Sequence, residues 1–153
     1  YRPSINKIIW KGTGRYFNPH DVDILNDHTI SVFNNNTKNF LNGRIVDGNN
    51  QVIIYDFKKN QYTSYLEDSL IKYDVRTPTQ GRSKILPNGD LFLEETDFGR
   101  ILYFDSNGTA RWTYVNRAKN GYIYYVVWSR ILNDKSDIQI VKNLLKSKMR
   151  CNS

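Results

Sequence analysis

The chain repeats itself, and a repeat of this length narrows the possible folds more than any other property of the sequence. "ILNDHTISVF", starting at Ile24, matches "ILPNGDLFLE", starting at Ile85: an apolar pair, a turn of Asn, Asp, Pro or Gly, then apolar residues alternating with others. "ILND" returns at Ile131. The first copy runs on to "QVIIYDF" and the second to "GRILYFDSNGTARWTYV", which contains a further hairpin turning at residues 105–108. Pro87, Asn88 and Gly89 account for the tight reversal in the second copy, because proline fixes one φ and glycine accepts a positive one. Each unit therefore reads as four short antiparallel strands, in the second unit at approximately 83–86, 90–94, 100–104 and 110–115.

Ile24 and Ile85 lie 61 residues apart, whereas Ile85 and Ile131 lie 46 apart. About 15 residues are thus inserted in the first unit, around 34–50 and in the loop before Gly81. Four-stranded units of about 45 residues in tandem are the signature of a β-propeller. A β-sandwich is the competing architecture, but it does not require the same turn chemistry at corresponding strand junctions. Trp10 in "INKIIWKG" matches Trp112 in "GTARWTYV" and is expected to close a preceding unit with a strand. Residues 1–133 are accordingly read as partial propeller blades: a closing strand, two full units and the start of another. Because the chain opens on Tyr1 rather than methionine, the remaining blades are expected upstream or in a partner chain.

Residues 134–153 read differently. Ile138, Val141, Leu145 and Met149 fall at helical spacing, with Asn133, Asp134 or Ser136 available as an N-cap and lysines opposite. A short C-terminal amphipathic helix packed against the outside of the last blade is expected, with Lys142, Lys146, Lys148 and Arg150 on its solvated side. No window approaches the roughly 18 consecutive apolar residues of a membrane span, and the mean hydropathy of −0.62 agrees. The net charge of +7 favours anionic partners, yet no nucleic-acid motif accompanies it, so nucleic-acid binding is disfavoured. Cys151 is alone, and neither His20 nor His28 has a suitably spaced carboxylate, so neither a disulfide nor a metal site is expected. His28 corresponds to Gly89 of the second copy and reads as a turn residue. The tryptophans and tyrosines read as packing between blades. Asn35-Asn36-Thr37 and Asn107-Gly108-Thr109 are glycosylation sequons.

His20 stands directly before an alternating strand, in "PHDVDILNDHTISVFNNN". That stretch resembles the segment that arylsulfate sulfotransferases carry as Gln-His-Asp-Ala, an apolar pair, a turn, then a strand ending Phe-Asp-Asn-Gly. "GRSKILPNGDLFLEETDFGRILYFDSNGTARWTYV" is similar to the family's penultimate and final repeats, where Leu-Pro-Asn-Gly, Gly-Arg-Ile and Trp close one blade. The resemblance spans residues 19–116. It implies a six-bladed propeller, no metal or nucleotide cofactor, an aryl sulfate and a phenol as substrates, and a periplasmic or secreted location. It also implies that His20 takes the sulfuryl group as a covalent intermediate. The chemistry is sound: an imidazole with a pKa of about 6.5 is mostly neutral at pH 7 and has one free lone pair.

The moving group then needs donors on its oxygens and the ring needs an acceptor on its other nitrogen. Arg82 and Thr79 are the candidate substrate-binding residues, with Thr77 as a further choice, and the family's other arginine and histidines come from upstream blades. Three positions depart from the family pattern: Pro19 replaces Gln, Asn34 replaces Asp and Asn36 replaces Gly. The rival reading is a catalytically inactive propeller that serves as a binding or scaffolding module.

Overall fold

Alternating apolar side chains, punctuated by turn residues at matching offsets, fold the two repeats into two four-stranded antiparallel sheets. A computed structural model describes residues 1–41 and 43–147. The first sheet begins with β1 (Pro19–Asn26) and β2 (Thr29–Asn34). A separate hairpin, β3 (Thr37–Phe40) with β4 (Gly43–Val46), interrupts it before β5 (Gln51–Asp56) and β6 (Gln61–Ser64) complete the order β1-β2-β5-β6. The helix α1 (Glu67–Lys72) leads to the second sheet, in which β7 (Arg82–Ile85), β8 (Leu91–Glu95), β9 (Arg100–Phe104) and β10 (Ala110–Val115) pair in chain order. A second helix, α2, covers Lys135–Lys146. The inserted residues of the first unit are therefore the β3–β4 hairpin and the α1 connection. The strands of the second unit start and end within one residue of the positions expected from the turn chemistry. Gly89 takes φ +83° in the β7–β8 turn, and its N–H donates to the Leu86 carbonyl at 2.9 Å.

The core lies between the sheets. Phe33 pairs with Val52 across β2 and β5, while Leu91 pairs with Phe104 and Leu93 with Leu102 across β8 and β9. Residues two apart on a strand share a face, so each sheet turns one apolar face inward. Leu70 from α1 and Val75 complete the cluster, in which every member is at most 1% exposed. Ser69 of α1 holds the helix in place by donating to the Gly108 carbonyl at 2.8 Å.

The first strands of the two sheets run beside one another. The Ser83 N–H donates to Asp21 Oδ2 and Lys84 Nζ to Asp23 Oδ1, each at 3.1 Å. On the second sheet, Glu95 is 1% exposed and pairs with Arg100 at 2.5 Å. Its other oxygen accepts the Arg76 N–H at 2.6 Å, while Arg100 donates to the Tyr73 and Asp74 carbonyls. One buried carboxylate thereby ties β8 and β9 to the connection that enters β7.

The described residues form an all-β fold of antiparallel sheets with helical additions; they show neither six blades nor a closed ring, as a chain read as part of a propeller need not. Other expectations fail. Residues 7–18 form no strand. Trp10 does not close a preceding unit: its ring stacks on Tyr55 at 5.0 Å and meets the edge of Phe57 at 5.1 Å, so aromatic packing holds it against the first sheet. Trp112 likewise stacks within its own sheet, on Tyr103 at 5.5 Å. The third "ILND" starts no strand either, and residues 124–129 fold back along the second sheet. There the Val126 N–H donates to Thr96 and the Trp128 N–H to Glu94.

The helix α2 was expected to pack against the outside of the last blade. The helix is capped by Asp134, which accepts from the Ser136 and Asp137 N–H groups, but it buries no residue, and Leu145 is 78% exposed. Lys148, Met149, Arg150 and Cys151 lie outside the described residues. No helix among the described residues is long and apolar enough to cross a membrane.

Candidate functional site

His20 is the second residue of β1, and the strand is irregular there. Pro19 faces Asn34 and Asp21 faces Phe33, so His20 is the extra residue of a β-bulge, outside the ladder. Pro19 has no N–H to give a neighbouring strand and is tolerated as a first strand residue. The bulge turns the imidazole toward the start of β7, where His20 Nδ1 lies 3.1 Å from the Gly81 carbonyl oxygen. A carbonyl only accepts, so Nδ1 carries a proton, and in the neutral ring the free lone pair is on Nε2. The ring is exposed and borders a small cleft that Asp21, Arg82, Glu94 and Trp128 also line.

Arg82 follows Gly81 and brings a guanidinium into the same cleft. Its Nε lies 3.9 Å from Asp21 Oδ2, its plane lies over the Trp128 ring at 5.4 Å, and its Nη1 is buried without a hydrogen-bond partner. An unpaired buried guanidinium nitrogen is costly unless an acceptor meets it. Asp21 is too far from Arg82 for a hydrogen bond, and its Oδ2 already accepts the Ser83 N–H. The arginine is therefore held in place with donor capacity to spare, in the form that suits an oxyanion.

Trp128 takes φ +61°, a strained conformation for a bulky residue that persists only where neighbours enforce it. Glu94 enforces it. This carboxylate is 2% exposed and accepts the Trp128 N–H at 3.2 Å, the Ser129 N–H at 2.6 Å and the Ser129 hydroxyl. A strand residue of the second sheet thus fixes the loop whose indole supports Arg82.

The loop before Gly81 is fixed as firmly. Asn35, fully buried, donates to the Thr77 carbonyl at 2.9 Å and the Gln80 carbonyl at 2.8 Å, while Asn50 donates to Asn35 and Thr77. Asn35 is the asparagine that this chain shares with the family's Phe-Asp-Asn-Gly element, and its burial closes the first sequon to glycosylation in the folded chain. Asn36 stands for the family's glycine and takes φ +53°, a conformation that asparagine tolerates better than other non-glycine residues. Asn34 stands for its aspartate and accepts the Phe17 N–H at 2.8 Å. Two of the three departures from the family pattern are thus conformationally matched.

Gly81 is the hinge of the arrangement. At φ +79°, a Cβ there would come within 2.6 Å of the Phe33 ring and 2.8 Å of Thr77 Cγ2. Gly81→Ala is expected to cost about 3 kcal/mol, the sum of left-handed strain and overpacking, and to displace the carbonyl that orients His20. Urea denaturation checks this: an unchanged midpoint would contradict the packing described.

Thr79 does not reach the cleft. Its hydroxyl and its N–H both donate to Asp97, at 2.9 Å, and fully buried Thr77 is bound to the same carboxylate at 2.9 Å. Both threonines are engaged in holding the loop. His28 lies in the β1–β2 turn, where its N–H donates to Asn26 Oδ1 at 3.0 Å, away from His20. Sequence reasoning missed Gly81, Asp21, Glu94 and Trp128. Outside the cleft, the buried hydroxyl of Tyr16 is pushed up to about 12, chiefly by desolvation and then by the neighbouring Tyr62 and Tyr55, so it stays protonated at neutral pH. Among the described residues, no group of three or more histidine, cysteine or acidic side chains is arranged to hold a metal ion.

A family model described as arylsulfotransferase (ASST) matches residues 1–117, which include both four-stranded sheets and all the cleft residues except Val127 and Trp128. No curated protein and no solved structure matches the chain.

Proposed function

The chain belongs to the arylsulfotransferase family, and from that premise we propose that it moves a sulfuryl group from an aryl sulfate to a phenol through Nε2 of His20. The observation that carries the proposal is the Gly81 carbonyl at 3.1 Å from Nδ1, which leaves the other ring nitrogen as the nucleophile. In the first step the Nε2 lone pair attacks sulfur, the aryl oxygen–sulfur bond breaks, and the phenolate departs to take a proton from water. The ring becomes a cationic N-sulfonated imidazole whose Nδ1–H bond to Gly81 strengthens as the charge develops. In the second step a phenol attacks the same sulfur, its proton passes to solvent, and the nitrogen–sulfur bond returns its electrons to Nε2. The Arg82 guanidinium, which lines the cleft, takes a sulfuryl oxygen in both transition states.

Two sheets do not enclose a substrate on all sides. In this reading the chain supplies blades to a six-bladed propeller whose other blades lie upstream or in a partner chain and contribute further cations. The test is direct. The chain together with its remaining blades, incubated with 4-nitrophenyl sulfate without acceptor and digested at alkaline pH, is expected to yield a peptide sulfonated on His20 together with free nitrophenol. An unmodified His20 peptide with no nitrophenol release would reject the reading in favour of an inactive binding module.

A further inference from the structure

Beside the His20 cleft, and sharing Arg82 with it, a larger hollow opens along the first strands of the two sheets. Arg82 and Lys84, two apart on β7, line it together with Arg130 from the connection that follows the second sheet. Asp23 is the one carboxylate in its wall, and it already receives Lys84 Nζ at 3.1 Å. Arg130 is exposed and makes no ion pair among the described residues. Phe92, 4% exposed, supplies an apolar wall.

The hollow therefore combines an aromatic surface with more positive than negative charge, next to the guanidinium whose Nη1 lacks a partner. Asp23 already answers Lys84, so a neutral phenol lying there leaves the charge of Arg130 unanswered. An aromatic acid satisfies both features at once, with its ring on Phe92 and its carboxylate on the cations. The geometry points to a second anion subsite: the phenol that accepts the sulfuryl group carries a carboxylate, bound by Arg130 and Lys84 while its hydroxyl reaches toward His20. The role of acceptor rests on the sulfuryl-transfer reading, whereas the binding of the acid does not.

The two are separated by titrating the full chain, without any sulfate donor, with 4-hydroxybenzoate and with its neutral methyl ester. Calorimetry is expected to give at least about tenfold tighter binding of the acid, the scale of a hydrogen bond to a charged group, and a preference that shrinks as salt is raised. In the double variant Lys84→Met, Arg130→Met the preference is expected to fall to near unity. Both side chains are exposed, so circular dichroism should show the sheets intact. Equal affinity for acid and ester, or a preference that survives in the variant, overturns the subsite. Acid-selective binding in a chain that never sulfonates His20 supports the subsite and removes only the role of acceptor.

Discussion

Replacement of His20 by asparagine is expected to lower sulfuryl turnover by at least about 10³-fold, the scale seen when a covalent nucleophile is removed. Asparagine keeps an N–H that can meet the Gly81 carbonyl but has no basic nitrogen lone pair to attack sulfur. His20 is exposed and outside the ladder, so the stability of the variant should stay within about 1 kcal/mol of the parent, the worth of one hydrogen bond. The loss would then be chemical, not structural. A companion variant, His20→Gly, should regain part of the turnover when free imidazole is added, because the diffusible ring can take the sulfuryl group in place of the missing one. Steady-state assays with 4-nitrophenyl sulfate and a phenol check both. An asparagine variant that turns over normally would mean that His20 only holds Gly81, and the covalent step would have to be abandoned.

The strands were legible because their punctuation is local. A proline, an asparagine and a glycine at 87–89 dictate a reversal whatever surrounds them, and the unequal spacing of the repeats located the β3–β4 hairpin and the α1 connection. His20 was picked out by the family resemblance and Arg82 by its place at the matching end of the second unit, and the first strands of the two units are neighbours in space. What decided the rest is long-range. Thr79 has the composition of a binding residue, but Asp97, eighteen positions away, takes both of its donors. Glu94 reads as part of an acidic strand end, and only the fold shows it buried beneath Trp128 and Ser129.

The bulge at His20 has no distinctive composition. It follows from the pairing of β1 with β2, and periodicity cannot register a single extra residue. The amphipathic pattern of α2 specified a helix without specifying what covers it, since a stripe of apolar residues records a preference for burial and not the surface that would satisfy it. Trp10 shows the converse, where a correct residue match between two repeats led to an incorrect strand because a stacked ring and a closing strand both favour tryptophan.

The second large effect concerns Arg82. Arg82→Met is expected to lower kcat by about 10²-fold, in line with the loss of one preorganised donor to an oxyanion. The fall should appear mainly in kcat, because negative charge on the sulfuryl oxygens and the leaving phenolate develops most at the transition state. Methionine preserves the length and much of the apolar contact with Trp128, and Asp21 retains the Ser83 N–H at 3.1 Å, so the cleft should hold its shape. Arg82→Lys separates charge from geometry. Lysine restores the positive charge but not the planar fork that rests on the indole at 5.4 Å, so it should recover only part of the lost rate. A rise in KM with kcat unchanged in both variants would show that the guanidinium binds the ground state and transition state equally, and its role in the transfer would be refuted. Full activity in the methionine variant would go further, leaving Arg82 with no part in the chemistry at all.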